Sequence, residues 1–454
     1  MINFEKFAKY SKPGPRYTSY PTAVEFKETF DNKAYIESLA RYTHLPLSIY
    51  THLPFCKSAC YFCGCNVIYT SKEDKKQEYI TYLKKELNLI KNYIDTKRNV
   101  LQFHFGGGTP TFYDAKSLEV IIKSIRDTFI NFDKNAEISC EIDPRFFNED
   151  QMKVLKDYGF NRLSFGIQDF NIDVQTTIHR IQPFKLVENA INIARKYGIN
   201  NINFDLIYGL PKQNIATFKE TLNYALKLKP SRLAIFNYAH VPWIKKTMRK
   251  IDEKLLPPPK EKLSILKYTI NYLTENNYKM IGMDHFALES DELYKASQNG
   301  ELKRNFQGYT AKKHTQIVGF GVTSIGEGHD YYVQNYKDYA TYKQMLDNEL
   351  LPIERGVRLN NDDIIRKNVI MKLMNNLVLD IKHIENKFNI NFIEYFKDSL
   401  SRLQEYIESD LLTIDNDFIK INQTGAMLVR NIVMVFDKYL ENMNIQDKKF
   451  SKTV

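Results

Sequence analysis

Six stretches rich in apolar or alternating residues, 48–55, 100–106, 137–143, 162–168, 201–209 and 232–239, are separated along the chain by longer segments of helical spacing. Between the first two, residues 76–94 place Ile80, Leu83, Leu87, Ile90 and Ile94 at steps of three and four, which gathers them on one face of an amphipathic helix. Residues 185–197 and 216–228 read the same way. Strands that alternate with helices are joined by right-handed crossovers and form a parallel sheet, either open or curled into a barrel.

The strands carry a second pattern. Parallel strands covered by helices are normally apolar on both faces, yet here one parity is polar: Tyr50 and His52; His104; Ser139, Glu141 and Asp143; Ser164, Gly166 and Gln168; Asn203 and Asp205. The other parity is apolar. With helices covering one side, the polar parity is expected to line an incomplete parallel (β/α)6 barrel wide enough to admit ligands, with the site at the carboxyl ends of the strands. After Gly326 the pattern changes: 351–363 is turn-rich, and the remainder is helical apart from a hairpin-like stretch at 411–421. The expected division is an N-terminal arm over 1–46, the α/β unit with an extension over 47–345, and a mostly helical C-terminal domain over 346–454. A winged helix would share the helix–hairpin–helix order of that last part, but simple packing explains its pattern better.

A chain of 454 residues exceeds the roughly 250 to 300 at which a single core stops growing, which supports more than one unit. Charged residues are 26% and hydrophobic ones 43%, as in ordinary folded domains. No apolar leader or membrane-length apolar run is visible, so a cytoplasmic protein is expected. The net charge of +10 favours anionic partners such as a polycarboxylate. No block of basic residues marks a nucleic-acid arm, and neither nucleic acid nor membrane is an expected partner.

Four of the five cysteines fall in CKSACYFCGC, at Cys56, Cys60, Cys63 and Cys65, and Cys140 stands alone. Iron–sulfur clusters are normally held by four thiolates, so a compact Cys-x3-Cys-x2-Cys triplet suits a cubane with one iron left open to a ligand. A closed zinc site usually takes two ligand pairs separated by a longer spacer, and no second Cys or His pair follows at that spacing. A redox dithiol needs only two cysteines. The cluster is the stronger reading, and grouped thiols also fit a reducing compartment. FGGGTPT at 105–111 ends the second strand with three glycines, whose bare backbone lets a ligand approach closely.

The cysteine loop and glycine run together resemble the signature of the radical S-adenosylmethionine superfamily. More narrowly, nine segments resemble the oxygen-independent coproporphyrinogen III oxidases over nearly the whole chain. They are PRYTSYPT at 15–22, YTHLPFCKSACYFCGCN at 50–66, HFGGGTPT at 104–111, EIDPR at 141–145 and GFNRLSFGIQDFN at 159–171. DLIYGLPKQ at 205–213, FNYAHVP at 236–242, GMDHFA at 282–287 and NFQGYT at 305–310 complete the set. Phe105 stands where Trp is common in that family.

The resemblance implies that Cys56, Cys60 and Cys63 bind one [4Fe–4S] cluster, that Cys65 is a fourth, non-ligating cysteine, and that S-adenosylmethionine completes the open iron. Two such molecules are expected, contacted by Tyr50, Phe62, Gly107, Gly108, Thr109, Glu141, Gln168, Arg180, Asp205, Ala239 and Ile325. Glu141 and Asp205 suit ribose hydroxyls or the ammonium, and Arg180 the methionine carboxylate. Tyr50, Glu141, Phe306 and Gln307 are the expected catalytic residues, with Arg16 and Tyr17 expected to serve the substrate rather than radical generation.

The implied reaction decarboxylates two propionates of coproporphyrinogen III oxidatively to vinyl groups, giving protoporphyrinogen IX in haem synthesis. A 5′-deoxyadenosyl radical would act on each propionate, its electron coming from a donor such as a flavodoxin or ferredoxin. A monomer is expected. The rival is a haem-binding chaperone of the same superfamily. Those relatives typically lack the fourth cysteine and carry an HNxxYW motif, whereas this chain has Cys65 and its one tryptophan, Trp243, lies in AHVPWIKK.

Overall fold

The computed structural model describes residues 2–10, 12–312 and 315–441. Contacts divide the chain into two compact units, one of Lys27–Asn276 with His314–Arg358, the other of Met1–Phe26, Asn277–Lys313 and Leu359–Val454.

The first unit holds the six expected strands, β1 (Leu47–Leu53), β2 (Val100–Gly107), β3 (Phe132–Ile142), β4 (Arg162–Gln168), β5 (Asn201–Tyr208) and β6 (Arg232–Asn237). They pair in that order, parallel throughout. Between them run α1 (Glu73–Ile90), α2 (Ala115–Thr128), α3 (Glu149–Asp157), α4 (Phe184–Lys196) and α5 (Ile215–Lys227). Side-chain caps set several of the starts: Asp114 accepts from the Ser117 amide, and Asn148 and Asn214 form capping boxes with Gln151 and Thr217, satisfying amides that the helix leaves unpaired. α1 buries Ile80, Leu83, Leu87 and Ile90. It stops short of Ile94 because the Asn92 and Tyr93 amides bond three residues back in turns, although Ile94 itself remains buried.

Burial follows the two parities. Leu163, Phe165 and Ile167 of β4 and Ile202, Phe204 and Leu206 of β5 are wholly buried, while Ser164, Gly166, Gln168, Asn203 and Asp205 are half-buried. A one-residue slip would exchange the faces, at about 1.5–3 kcal/mol for each large apolar side chain exposed, so the apolar parity fixes the register.

The parallel set has a seventh member. β7 (Gln316–Phe320) pairs parallel with the other edge of β1, and β8 (Ile325–Glu327), β9 (Tyr331–Asn335) and β10 (Ile353–Arg358) continue antiparallel from it. With β2 and β7 on its two edges, β1 has no edge for β6, and the barrel stays incomplete. The meander lacks the helical crossovers that made the first six strands visible in sequence.

The second unit is mostly helical in its last stretch, with Asn361–Asn376, Ile381–Phe388 and Lys397–Glu408 as its longer helices. The hairpin expected at 411–421 is present as Leu412–Ile414 and Phe418–Ile421, with Val378–Asp380 as a third strand. The contacts do not follow the expected boundaries at 46 and 345. The described residues of 2–10 and 12–26 have little regular structure, so their carbonyls need donors from elsewhere. Arg430 Nε donates to the Pro15 carbonyl (2.8 Å) and its Nη2 to that of Gly14. Asn431 Nδ2 donates to Tyr10 O (2.6 Å), and the Tyr17 hydroxyl donates to Asp437 (2.8 Å). Asn376 Nδ2 likewise reaches Leu302 O at 3.1 Å. Lys27 instead bonds to Gly356 O at 2.8 Å, within the α/β unit. Among the described residues no helix is long and apolar enough to cross a membrane.

Candidate active site

β1 ends at Leu53, and main-chain bonds fix the path of the cysteine loop that follows. Gly108 N bonds to Leu53 O (2.8 Å), Thr109 N to Phe55 O (3.0 Å) and Ile68 N to Pro54 O (2.9 Å). Phe55–Cys56 pairs in parallel with Ile68–Tyr69, closing the loop at its base. Two glycines of FGGGTPT make this approach possible: a Cβ on Gly108 would lie 2.5 Å from Pro54 O, and Gly107 has φ +118° with the His52 ring 2.9 Å from where its Cβ would stand. Their bare backbone therefore docks the cysteine loop.

All five cysteines are free. Cys56 Sγ lies 3.2 Å from Thr109 Oγ1, and burial pushes its thiol up to about 12, against that hydrogen bond. Ligation to iron is what deprotonates such a thiol. Cys63 is held low by a hydrogen bond shared with Cys65, and the same bond raises Cys65. Cys60 is buried, and two guanidinium groups point at its sulfur, Arg145 Nη2 at 3.6 Å and Arg180 Nη1 at 3.7 Å. Among the described residues no three His, Cys, Asp or Glu side chains converge on one point as a single ion requires. A cubane asks for something else, since each thiolate binds a different iron. Three free thiols on one docked loop, with cationic donors at one sulfur, fit that group.

Beside the loop, the polar parity of β1–β3 forms a connected set. The carbonyl of Asn66 accepts from His52 Nε2 (3.0 Å), which leaves Nδ1 to accept from the Tyr50 hydroxyl, also at 3.0 Å. Burial lowers His52 to about 4, so the ring stays neutral in this role. Burial, with Glu141 nearby, raises the Tyr50 hydroxyl well above its ordinary value. The Tyr50 ring stacks on that of His104, 5.9 Å between centroids. His104 bonds Ser139 Oγ (2.7 Å) and faces Glu141 Oε1 (3.5 Å), while Glu141 Oε2 accepts from Gly107 N at 3.3 Å. The Glu141 side chain remains 45% exposed, so it keeps accepting capacity for a ligand.

Further across the sheet, Asp205 accepts from Ser164 Oγ (3.0 Å) and Asn203 Nδ2 (2.9 Å). Gln168 stands at φ +66°, where the pairing of β4 with β5 shifts register. A Cβ on Gly166 would meet Gln168 Nε2 at 2.9 Å and Arg180 Nη2 at 3.1 Å, so both side chains lie over that glycine. Arg180 donates from Nη2 to Gly166 O (2.7 Å) and from Nη1 to Asp143 Oδ2 (2.9 Å); each Nη carries two N–H groups, so Nη2 keeps one for a carboxylate. Ile325 opens β8 with its carbonyl 2.9 Å from where a Cβ on Gly319 would stand, and Gly319 is the register partner of Tyr50. Ala239 is half-buried just past β6. Phe62 is half-buried and packs against an apolar cluster that includes Val174, Ile178, Leu210 and Tyr238.

The radical SAM superfamily model matches residues 50–225, and the HemN C-terminal domain model matches 359–428. The oxygen-independent coproporphyrinogen III oxidase of Helicobacter pylori strain J99 is 58% identical over 457 residues, covering 100% of this chain and 99% of that protein. The chain belongs to the oxygen-independent coproporphyrinogen III oxidases. The oxidase of Escherichia coli K12 is 43% identical over 98% of this chain and 97% of its own length. The solved structure of that organism's coproporphyrinogen III oxidase (HemN), a radical SAM enzyme, superposes with a TM-score of 0.91 over 94% of this chain and 98% of its own. As a member of this oxidase family, the chain is a radical SAM oxidoreductase, and the haem-chaperone reading gains no support.

The four remaining residues that the oxidase resemblance singled out lie in the second unit. Phe306 and Gln307 form the turn between Lys303–Asn305 and Gly308–Thr310, with Phe306 edge-on to Phe26 (6.3 Å) and Gln307 N bonded to Asn305 Oδ1 (2.8 Å). Among the described residues, the buried Gln307 Nε2 has no hydrogen-bond partner. Arg16 is exposed, whereas Tyr17 is buried on Asp437. Sequence reasoning passed over Arg145 altogether, and gave His52 and His104 a face but no partner. The EIDPR segment held the signal for Arg145, an arginine two residues after a strand-end aspartate.

Proposed function

We propose that this oxidase binds one [4Fe–4S] cluster through Cys56, Cys60 and Cys63 and converts two propionates of coproporphyrinogen III to vinyl groups. The observation that carries the assignment is the loop of three free thiols, docked by Gly107 and Gly108 and faced by two guanidinium groups, in a chain 58% identical to a named oxidase over its full length. When bound, the cluster and S-adenosylmethionine would supply one-electron cleavage of the sulfonium, whose 5′-deoxyadenosyl product would take a hydrogen from the propionate β-carbon; loss of carbon dioxide with transfer of one further electron to an acceptor would leave the vinyl group.

The chain's own residues bind and orient. Glu141 and Asp205, each already fixed by neighbours on the polar face, suit ribose hydroxyls or an ammonium as acceptors. The Tyr50 hydroxyl spends its proton on His52, so toward a ligand it offers an acceptor and the edge of its ring. Gln168 and Arg180, both over Gly166, and the backbone at Ala239 and Ile325 complete the proposed cofactor contacts, and two S-adenosylmethionine molecules are proposed. Phe306 and Gln307 are proposed to hold the substrate, since a misplacement of about 1 Å can cost on the order of a hundredfold in rate. A flavodoxin or ferredoxin is the proposed electron donor to a monomeric enzyme.

The test is an anaerobic assay of the reconstituted protein with dithionite, S-adenosylmethionine and coproporphyrinogen III, reading 5′-deoxyadenosine and porphyrin products on one sample. Vinyl products are expected from the native protein. Gln307→Ala should keep 5′-deoxyadenosine formation and lose the vinyl product. Native protein that makes 5′-deoxyadenosine but no vinyl group would overturn the substrate assignment.

A further inference from the structure

Two charged side chains at the cysteine loop, Asp143 and Arg145, stand outside the proposed cofactor contacts, and Arg180 joins them. Asp143, the last polar residue of its parity, lies at the end of β3 with its side chain 6% exposed. Arg145 follows within one turn and grips it with two bonds, Nε to Oδ1 at 3.0 Å and Nη2 to Oδ2 at 2.7 Å. Arg180 Nη1 takes the same Oδ2 at 2.9 Å. Burial works against the charge of Asp143, yet the two arginines hold its carboxyl below the ordinary range. Each arginine also spends one N–H on the same sulfur: Arg145 Nη2 and Arg180 Nη1 stand 3.6 and 3.7 Å from Cys60 Sγ. A carboxylate binding two guanidinium groups so that both reach one cysteine is a positioning device, with two positive charges set against one negative.

We propose that Arg145, oriented by Asp143, is a redox-tuning residue that raises the reduction potential of the cluster through its N–H···S contact to Cys60. The inference rests on the reading of Cys60 as a cluster ligand. Adding an electron makes the cluster more negative, so a nearby positive charge and a hydrogen bond to a ligand sulfur stabilise the reduced form more than the oxidised one. Net charge and hydrogen bonds to the sulfurs are among the levers that set such potentials, and both act more strongly in a buried site than in water. Arg145 suits this role better than lysine would, because its planar fork engages the carboxylate with two nitrogens and still directs one N–H at the sulfur.

The test is a redox titration of the reconstituted protein, following the reduced cluster by electron paramagnetic resonance and measuring iron content on the same samples. Arg145→Met should retain iron and shift the reduction equilibrium about tenfold toward the oxidised form, about 59 mV more negative for one electron. Arg145→Lys keeps the charge but not the fork, and should show a smaller shift in the same direction. A loaded Arg145→Met protein with the native potential overturns the proposal. If Arg145→Met does not load iron, the lysine variant decides, and a native potential there overturns it equally. Native protein that binds no cluster would instead overturn the ligand assignment on which the inference rests.

Discussion

Cys56, Cys60 and Cys63 are alike in sequence and unlike in surroundings: one thiol faces Thr109, one takes two guanidinium groups, and one shares a bond with Cys65. Replacing any of the three with Ala should remove most of the iron and the brown absorbance of anaerobically purified protein. Cys65→Ser should keep the cluster, because a serine hydroxyl can still bond to Cys63. Iron analysis decides the matter, and loss of iron from Cys65→Ser as complete as from the others would make it a fourth ligand. Gly108→Ala tests the docking of the loop. Its methyl would meet Pro54 O at 2.5 Å and the Phe55 carbonyl at 2.9 Å, both backbone atoms that cannot swing aside. Overpacking of this kind typically costs about 1–3 kcal/mol, so a lower melting temperature and poorer iron loading are expected together.

At the scale of elements, α1 holds the turn after β7 through one carboxylate. Glu86 accepts from Gly321 N (2.7 Å), Asn335 Nδ2 (2.6 Å) and the Tyr342 hydroxyl (2.6 Å). On the same helix, the Tyr79 hydroxyl donates to His52 O at 2.7 Å and accepts from Val322 N at 3.1 Å. The end of β1, which leads into the cysteine loop, and the turn leading to Ile325 are thus tied to a single helix. Burial pushes the Glu86 carboxyl up to about 7 from 4.5, in spite of its three donors. The folded state therefore prefers the protonated acid. Its advantage from this group is complete below pH about 4.5 and is lost as pH rises through about 7, a change on the order of 3 kcal/mol. Glu86→Gln should flatten the dependence of melting temperature on pH across that window. An unchanged slope would mean that Glu86 does not titrate there.

At the scale of the whole molecule, the second unit is assembled from three separated stretches of chain. Arg430, lowered to about 9 chiefly by burial, binds the Gly14 and Pro15 carbonyls across 416 and 415 residues. Arg430→Met would leave those carbonyls without this donor, and hydrogen bonds to charged groups are worth about 1.5–3 kcal/mol each. Amide exchange within 359–441 should therefore speed up in that variant, and more so when residues 1–26 are deleted, while β1–β6 keep their protection. Unchanged exchange over 359–441 in the deletion would show that the N-terminal stretch does not support this unit.

The chain's own periodicity determined the six strands, their helices and the polar parity, because burial on one face repeats every two or every three to four residues within a short window. Cysteine spacing and long motif matches carried the cluster loop and the family. Tertiary structure alone decided that β7 flanks β1, that Arg145 and Arg180 meet at Cys60 from 85 and 120 residues away, and that Glu86 reaches Gly321 across 235 residues. It also placed residues 1–26 with the C-terminal stretch. These are choices of partner, made when buried charges and carbonyls must find donors, and no local pattern encodes which distant residue supplies them.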